Sequence, residues 1–285
     1  MAPPPGHGGD GGAPPSLRAW LAEGPYTLAL SSSFFGFYGH LGALIALEQA
    51  RLKPVKVMGS SAGAMIAGMY CSGLDAPTEL KEWVMQLTPE ALLHPPFRRC
   101  GWGIARANLE HMREQARARR LPENLEDGIC DVRLSVFRVH DRTTHAISSG
   151  DGCAAIAASC AVPVLFQPVE VSFEDGNALC VDGGCCDPYG IIGRDGPHER
   201  VLGIAHGKSP FAGWRFQEPW PNDPNAASVC LHNLPKVRPD ARMAELGAKA
   251  IERAQAAMEA ALDLPVATDG RSRHIAADGD SAARV

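Results

Sequence analysis

Short apolar runs alternate along this chain with segments whose apolar residues recur every three or four positions, the pattern of strands and helices taken in turn. Tyr26-Thr27-Leu28-Ala29-Leu30 reads as a buried strand and Gly42–Gln49 as a helix with Leu44, Ile45 and Leu47 inward. Val55–Met58 is a second strand, followed by a helix over Ala62–Cys71 that Gly73 stops. Asp75 caps a helix predicted over Ala76–Met85, with Pro77 in its first turn and Leu80, Val84 and Met85 on one face. Asn108–Arg120 is a charged, solvent-facing helix. Asp131–His140 alternates apolar and polar residues, and Thr144–Ser148 pairs with it across the Asp141-Arg142 turn. Ile156–Cys160 is helical as far as Pro163; Leu179–Val181, Val201–Ala205 and Ala227–Leu231 are further strands; Met243–Leu262 closes the domain as a long amphipathic helix. This alternation predicts an α/β fold with a mainly parallel sheet covered on both faces.

The patterning fades at both ends. Residues 1–15 are rich in Pro and Gly and residues 266–285 in Asp-Gly and Arg-Ser clusters, so both are expected to be disordered tails around one folded domain, residues 16–265. Hydrophobic residues at 45% and charged residues at 21% are ordinary for a globular domain. A net charge of −5 argues against a nucleic-acid partner and against attraction to anionic membranes. The longest apolar stretch, Ala154–Phe166, is about 13 residues and contains Pro163, short of the ~20 a membrane span needs. The start lacks the basic and apolar regions of a secretory signal, and the nine cysteines include no Cys-x-x-Cys pair. The expectation is therefore a cytoplasmic protein whose thiols are mostly small buried hydrophobes, without a metal or cofactor.

Gly59-Ser60-Ser61-Ala62-Gly63 lies between a predicted strand and a predicted helix. Gly-x-Ser-x-Gly in that context places Ser61 on a sharp, strained turn, with small flanking residues and the helix amides, Ala62 first, aimed at a developing oxyanion. A serine nucleophile needs a base. His206 and His232 follow a candidate aspartate, as a Ser-Asp-His order requires, but neither sits in a motif. Asp182-Gly183-Gly184 ends a strand-like run, and its glycines let the chain turn away from the carboxylate. Gly36-x-x-Gly39-x-x-Gly42 departs from the dinucleotide spacing Gly-x-Gly-x-x-Gly.

Four ordered blocks together resemble the patatin-like phospholipase family: His40-Leu41-Gly42-Ala43-Leu44, the Ser61 pentapeptide, Ala158–Val169 with its Ala-Ser-x-Ala-x-Pro-x-x-Phe-x-Pro spacing, and Asp182-Gly183-Gly184. The resemblance runs from about Pro25 to Pro188. It implies a three-layer α/β/α domain and a Ser61–Asp182 dyad without a catalytic histidine. It implies an acyl lipid or other ester as substrate, met through transient contact with a membrane surface. The sequence leaves the oligomeric state open, and it does not separate hydrolysis from acyl transfer.

One block departs from the family. Where the resemblance implies a glycine-rich oxyanion loop and a basic residue, this chain reads Ser31-Ser32-Ser33-Phe34-Phe35-Gly36. Counted back from His40, the glycine triplet falls on Ser32, Ser33 and Phe34 and the basic residue on Gly36. The backbone at these four positions and at Ala62 is the expected oxyanion set. If Phe34 needs a positive φ, it carries a strain of ~1 kcal/mol or more. A non-catalytic lipid-binding or scaffold protein is the alternative this loop suggests. The aromatic cluster Phe34, Phe35, Phe37 and Tyr38 reads either as core or as the wall of an acyl pocket.

Overall fold

The structure, a computed structural model, describes residues 13–88, 93–94, 106–107, 109–206, 220–266 and 273–278. Its strands are β1 (Thr27–Leu30), β2 (Lys56–Ser60), β3 (Leu93–His94), β4 (Arg106–Ala107), β5 (Asp131–Arg138), β6 (Thr143–Ile147), β7 (Val169–Phe173), β8 (Gly176–Asp182), β9 (Val201–His206), β10 (Ala226–His232) and β11 (Arg273–Asp278). Its helices are α1 (Leu17–Ala22), α2 (Phe37–Gln49), α3 (Ala62–Cys71), α4 (Lys81–Met85), α5 (Leu109–Ala118), α6 (Gly152–Ser159) and α7 (Met243–Leu262). Nine strands form one sheet in the order β11-β10-β9-β1-β2-β5-β8-β7, with β6 also on β5. From β11 to β5 every pairing is parallel; β6, β7 and β8 add antiparallel pairs. This is the mixed α/β architecture with a mostly parallel sheet that the alternation predicts.

The register around β5 decides where the site lies. Leu134 and Ser135 pair with both β2 and β6, so those two strands occupy opposite edges of β5. Val136–Arg138 pair with both β6 and β8, which puts β8 on the β2 edge. Strands β2 and β8 therefore share one edge of β5 and run toward each other. Their final residues, Ser60 and Asp182, sit opposite Ser135 and Val136.

Alternate residues of the parallel strands feed two cores. Leu28, Leu30, Val57, Leu134, Leu202 and Ile204 share the face covered by helices. Ala29, Met58 and Val201 share the other, where Tyr189, Ile191 and Trp220 cover them. Lys56 also lies on that second face, bound to Asp195 (3.0 Å) and Glu199 (3.1 Å) of the covering segment. Trp220 packs over Gly203 and Tyr189. Trp214 lies outside the described residues.

Several boundaries differ from the sequence expectation. Helix α2 starts at Phe37, five residues before Gly42, and runs through Gly39 and Gly42. A Cβ on Gly42 would stand 2.3 Å from the Ile251 carbonyl of α7, so the residue marks a close helix crossing. Asp75 does cap its helix, but the first turn, Ala76–Leu80, is π-wound. Strand β7, unassigned from sequence, pairs with β8 as a hairpin. The expectation of a disordered tail over 266–285 is corrected in part: Arg273–Asp278 is strand β11, parallel to β10, with Ile275 buried. Residues 1–12, 267–272 and 279–285 lie outside the described residues. Ser16 bridges to Pro265, which brings the ends of the helical layer together. Among the described residues no helix is long and apolar enough to cross a membrane.

Candidate active site

Ser61 follows the last residue of β2 and holds φ 54° and ψ −121° before α3 begins. That is a left-handed backbone value for a residue with a Cβ, and such strain persists only where the surroundings impose it. Packing imposes it here. A Cβ on Gly59 would stand 2.5 Å from the Gly63 backbone, and one on Gly63 would stand 2.1 Å from the Leu30 carbonyl. The Ser61 N–H donates to Ser159 Oγ at 2.9 Å, and Ser159 Oγ donates to the Ser135 carbonyl at 2.6 Å. The Ser61 carbonyl accepts from Met65 N–H (3.1 Å) and from Cys160 Sγ (3.2 Å). These bonds leave the Ser61 hydroxyl facing an apolar cavity.

Asp182, the last residue of β8, is 0% exposed. Its Oδ1 accepts from Gly184 N–H at 2.7 Å, and its own N–H donates to the Ala161 carbonyl at 3.0 Å. Gly184 comes so close that a Cβ there would stand 2.3 Å from Ser32 Oγ. Burial raises the Asp182 pKa from 3.8 to about 7, against the smaller downward pull of the Ser61 hydroxyl and the Gly184 N–H. The hydroxyl is thus within reach of the carboxylate, yet Oδ2 completes no hydrogen bond in this structure. The pair converges with its last bond still open. Cys185, beside this carboxylate, is pushed up to about 12 by burial and by Asp182, so its thiol stays protonated near neutral pH.

The loop after β1 corrects two of the expected oxyanion donors. The Ser32 N–H donates to the Pro188 carbonyl and the Gly36 N–H to the Ser33 carbonyl, both at 2.8 Å. Of the expected set, Ser33 and Ala62 remain. Ala62 is the first residue of α3, where an N–H has no intrahelical acceptor and points out of the helix end. Phe34 does adopt a positive φ, 50°, and stands 42% exposed at the cavity.

Beneath this loop lie the buried His40 and the half-buried His206. Burial lowers His40 to about 4 and holds His206 well below its ordinary value, so both rings are neutral. His40 Nε2 lies 2.8 Å from the Ser31 carbonyl and therefore carries the proton. His40 Nδ1 is then the acceptor for His206 Nε2 at 3.2 Å. The pair supports the loop and makes no hydrogen bond to Ser61 or Asp182. His232 is exposed at the end of β10.

The cavity measures about 380 Å³, within the range of small-molecule sites. Phe34, Phe35, Phe37, Met65, Phe166 and Met243 form much of its wall around Ser61. The aromatic cluster thus divides: the three phenylalanines line the cavity, while Tyr38 is 1% exposed in the core. A second hollow of about 340 Å³ lies across Phe34 and Phe35, bordered by His206, His232 and Lys236. Sequence reasoning missed the contacts of Ser159 and Cys160. They stood inside a recognised block, but their partners lie 98 and 99 residues away.

Three comparisons bear on this geometry. The family model described as Patatin-like phospholipase matches residues 28–193. Uncharacterized NTE family proteins of Mycobacterium tuberculosis and Mycobacterium bovis are 29% identical over 187 residues, covering 62% of this chain and 47% of theirs. The chain spans about half the length of the curated relatives it matches. Among solved structures, VipD from Legionella pneumophila aligns with a TM-score of 0.53 at 14% identity, covering 84% of this chain and 67% of that one. That last likeness is one of fold.

Proposed function

The chain belongs to the patatin-like phospholipase family, a family of lipid hydrolases, and on that premise we propose that it cleaves acyl esters of lipids through an acyl-enzyme on Ser61, with Asp182 as the base. The observation that carries this reading is a strained serine whose hydroxyl opens into an apolar cavity beside a buried carboxylate raised to about 7.

In the proposed reaction the acyl chain occupies the apolar cavity and the ester carbonyl rests on Ser61. Ser61 Oγ attacks the carbonyl carbon while its proton passes to Asp182. Negative charge develops on the carbonyl oxygen against the Ala62 N–H at the positive end of α3, joined by the Ser33 N–H. A single such donor is worth ~2.7–4 kcal/mol in the transition state. The tetrahedral species collapses, and Asp182 returns the proton to the departing alkoxide. Water then attacks the acyl-enzyme, giving its proton to Asp182, and the acid leaves as Ser61 regains its hydroxyl proton. A carboxyl poised near neutrality suits both halves: a carboxylate of ordinary pKa is too weak a base, and a stronger base would return its proton poorly.

Leu165, 50% exposed, and Phe34, 42% exposed, line the cavity, and Val164, the chain neighbour of Leu165, is 81% exposed. Val164 also holds a φ of 73°, unusual for a β-branched side chain. We read this rim as the contact with a lipid surface. Among the described residues no disulfide is formed, which supports a cytoplasmic setting.

Purified protein assayed on butyryl to decanoyl p-nitrophenyl esters and on phosphatidylcholine should release acid, and Ser61→Ala should reduce the rate to background. Full activity in Ser61→Ala would end the proposal. The second reading, a non-catalytic lipid-binding or scaffold protein, draws on the occupied Ser32 and Gly36 amides and the unmade Ser61–Asp182 bond. Failure of a fluorophosphonate probe to label Ser61 would favour it.

A further inference from the structure

Three consecutive residues, Ser159, Cys160 and Ala161, reach both members of the proposed dyad. Ser159 Oγ accepts the Ser61 N–H at 2.9 Å, Cys160 Sγ donates to the Ser61 carbonyl at 3.2 Å, and the Ala161 carbonyl accepts the Asp182 N–H at 3.0 Å. Ser159 is itself anchored, donating to the Ser135 carbonyl at 2.6 Å, and is 0% exposed. Ser135 sits on β5 opposite the end of β2, one residue before the Val136 partner of Asp182. A single hydroxyl thus ties the strained peptide unit of Ser61 to the strand that sets the register of both β2 and β8.

We infer that Ser159 is the positioning residue of the active site: with its two neighbours it fixes the separation of the Ser61 hydroxyl from the Asp182 carboxylate and holds the strained turn of Ser61. The inference rests on the Ser61–Asp182 reading. Three facts set Ser159 apart from a residue that only fills space. Its hydroxyl uses both its donor and its acceptor capacity on backbone groups. One of those groups belongs to the residue at φ 54°. Occupation of the Ser61 N–H by Ser159 also leaves the next amide, that of Ala62, to face the oxyanion. Without the hydroxyl, the Ser61 amide loses its acceptor and the turn is free to relax toward an ordinary helical start. The hydroxyl of Ser61 then withdraws from Asp182, which loses one of the two groups that lower its pKa.

The test compares wild type, Ser159→Ala and Ser159→Thr on p-nitrophenyl butyrate, with rates expressed per folded molecule after thermal melts establish the folded fraction. Ser159→Ala is expected to lower kcat at least tenfold with KM within about threefold, and to move the pH midpoint of kcat upward from near 7. Ser159→Thr, which keeps the hydroxyl, is expected to recover most of kcat and to restore the midpoint. A space-filling role would lower Tm while leaving kcat per folded molecule and the midpoint unchanged, and that result would overturn the inference. If Ser159→Ala does not fold, Ser159→Cys, close in size and a weaker acceptor, carries the same two outcomes. Activity surviving in Ser61→Ala would instead overturn the dyad itself. Loss in Ser61→Ala with none in Ser159→Ala would overturn the positioning inference alone.

Discussion

Replacing Asp182 by asparagine separates the cost of burying this carboxyl group from its use. Asp182 is 0% exposed, and burial raises its pKa from 3.8 to about 7. Below pH ~4 the group is protonated in both the folded and the unfolded chain, and the stability due to this site is full. As pH rises toward 7, the unfolded chain has already lost the proton that the folded chain still holds. Stability therefore declines across that interval and levels off above it. At 1.36 kcal/mol per pH unit of separation, the decline is about 4 kcal/mol at most. Asparagine is close in shape and keeps an oxygen for the Gly184 N–H, but it does not ionise. Asp182→Asn should therefore match wild type in stability near pH 4.5 and exceed it increasingly toward pH 8, by a Tm difference of roughly 5–10 °C for a domain of this size. Asp187, also buried and raised by burial, is common to both proteins and cancels in the difference. Scanning fluorimetry from pH 4.5 to 8.5 on the two proteins measures the divergence, and ester assays should show a rate loss of at least ~10³ in the variant. A Tm difference that stays flat with pH would refute the reasoning, because it would mean that Asp182 carries its charge in the fold at no cost.

Three further changes test other parts of the account. Gly63→Ala places a Cβ 2.1 Å from the Leu30 carbonyl, a backbone contact that cannot yield cheaply, so it should lower stability by ~3 kcal/mol or more in denaturant titration; a loss under ~1 kcal/mol would contradict the packing of the turn. Met65→Trp narrows the cavity beside Ser61 and should shift the rate ratio of decanoyl to butyryl esters toward butyryl by about tenfold, a size of effect expected for lost methylene contacts; an unchanged ratio would move the acyl chain elsewhere. Val164→Glu, at a residue 81% exposed on the rim, should reduce hydrolysis of phosphatidylcholine vesicles while sparing p-nitrophenyl butyrate; equal effects on both would remove the rim from the lipid contact.

Much of the scaffold was legible from local pattern. Helix α7 matches its predicted bounds, Met243–Leu262, because its apolar stripe is long and continuous. The β5–β6 hairpin follows from alternation around a two-residue polar turn, and the strand, turn and helix around Ser61 follow from Gly-x-Ser-x-Gly. What escaped was set by distant partners. The helix predicted from Gly42 begins at Phe37 instead, because Gly39 and Gly42 let His206 and the Ile251 carbonyl approach it closely. Strand β11 has little hydrophobic signal of its own and exists by pairing with β10 at the sheet edge. The Ser32 amide was a reasonable oxyanion donor until the chain beyond Asp182 brought the Pro188 carbonyl to it. In that loop Phe34 takes a positive φ itself, over a base of two neutral histidines.

The most direct measurement is the rate and site of fluorophosphonate labelling as a function of pH, read by intact mass and peptide mapping. The account predicts a single adduct, on Ser61, formed at a rate that rises with pH to a plateau with its midpoint near 7, and abolished in Asp182→Asn. An adduct on any other residue, or labelling of Ser61 that is indifferent to both pH and Asp182, would contradict it.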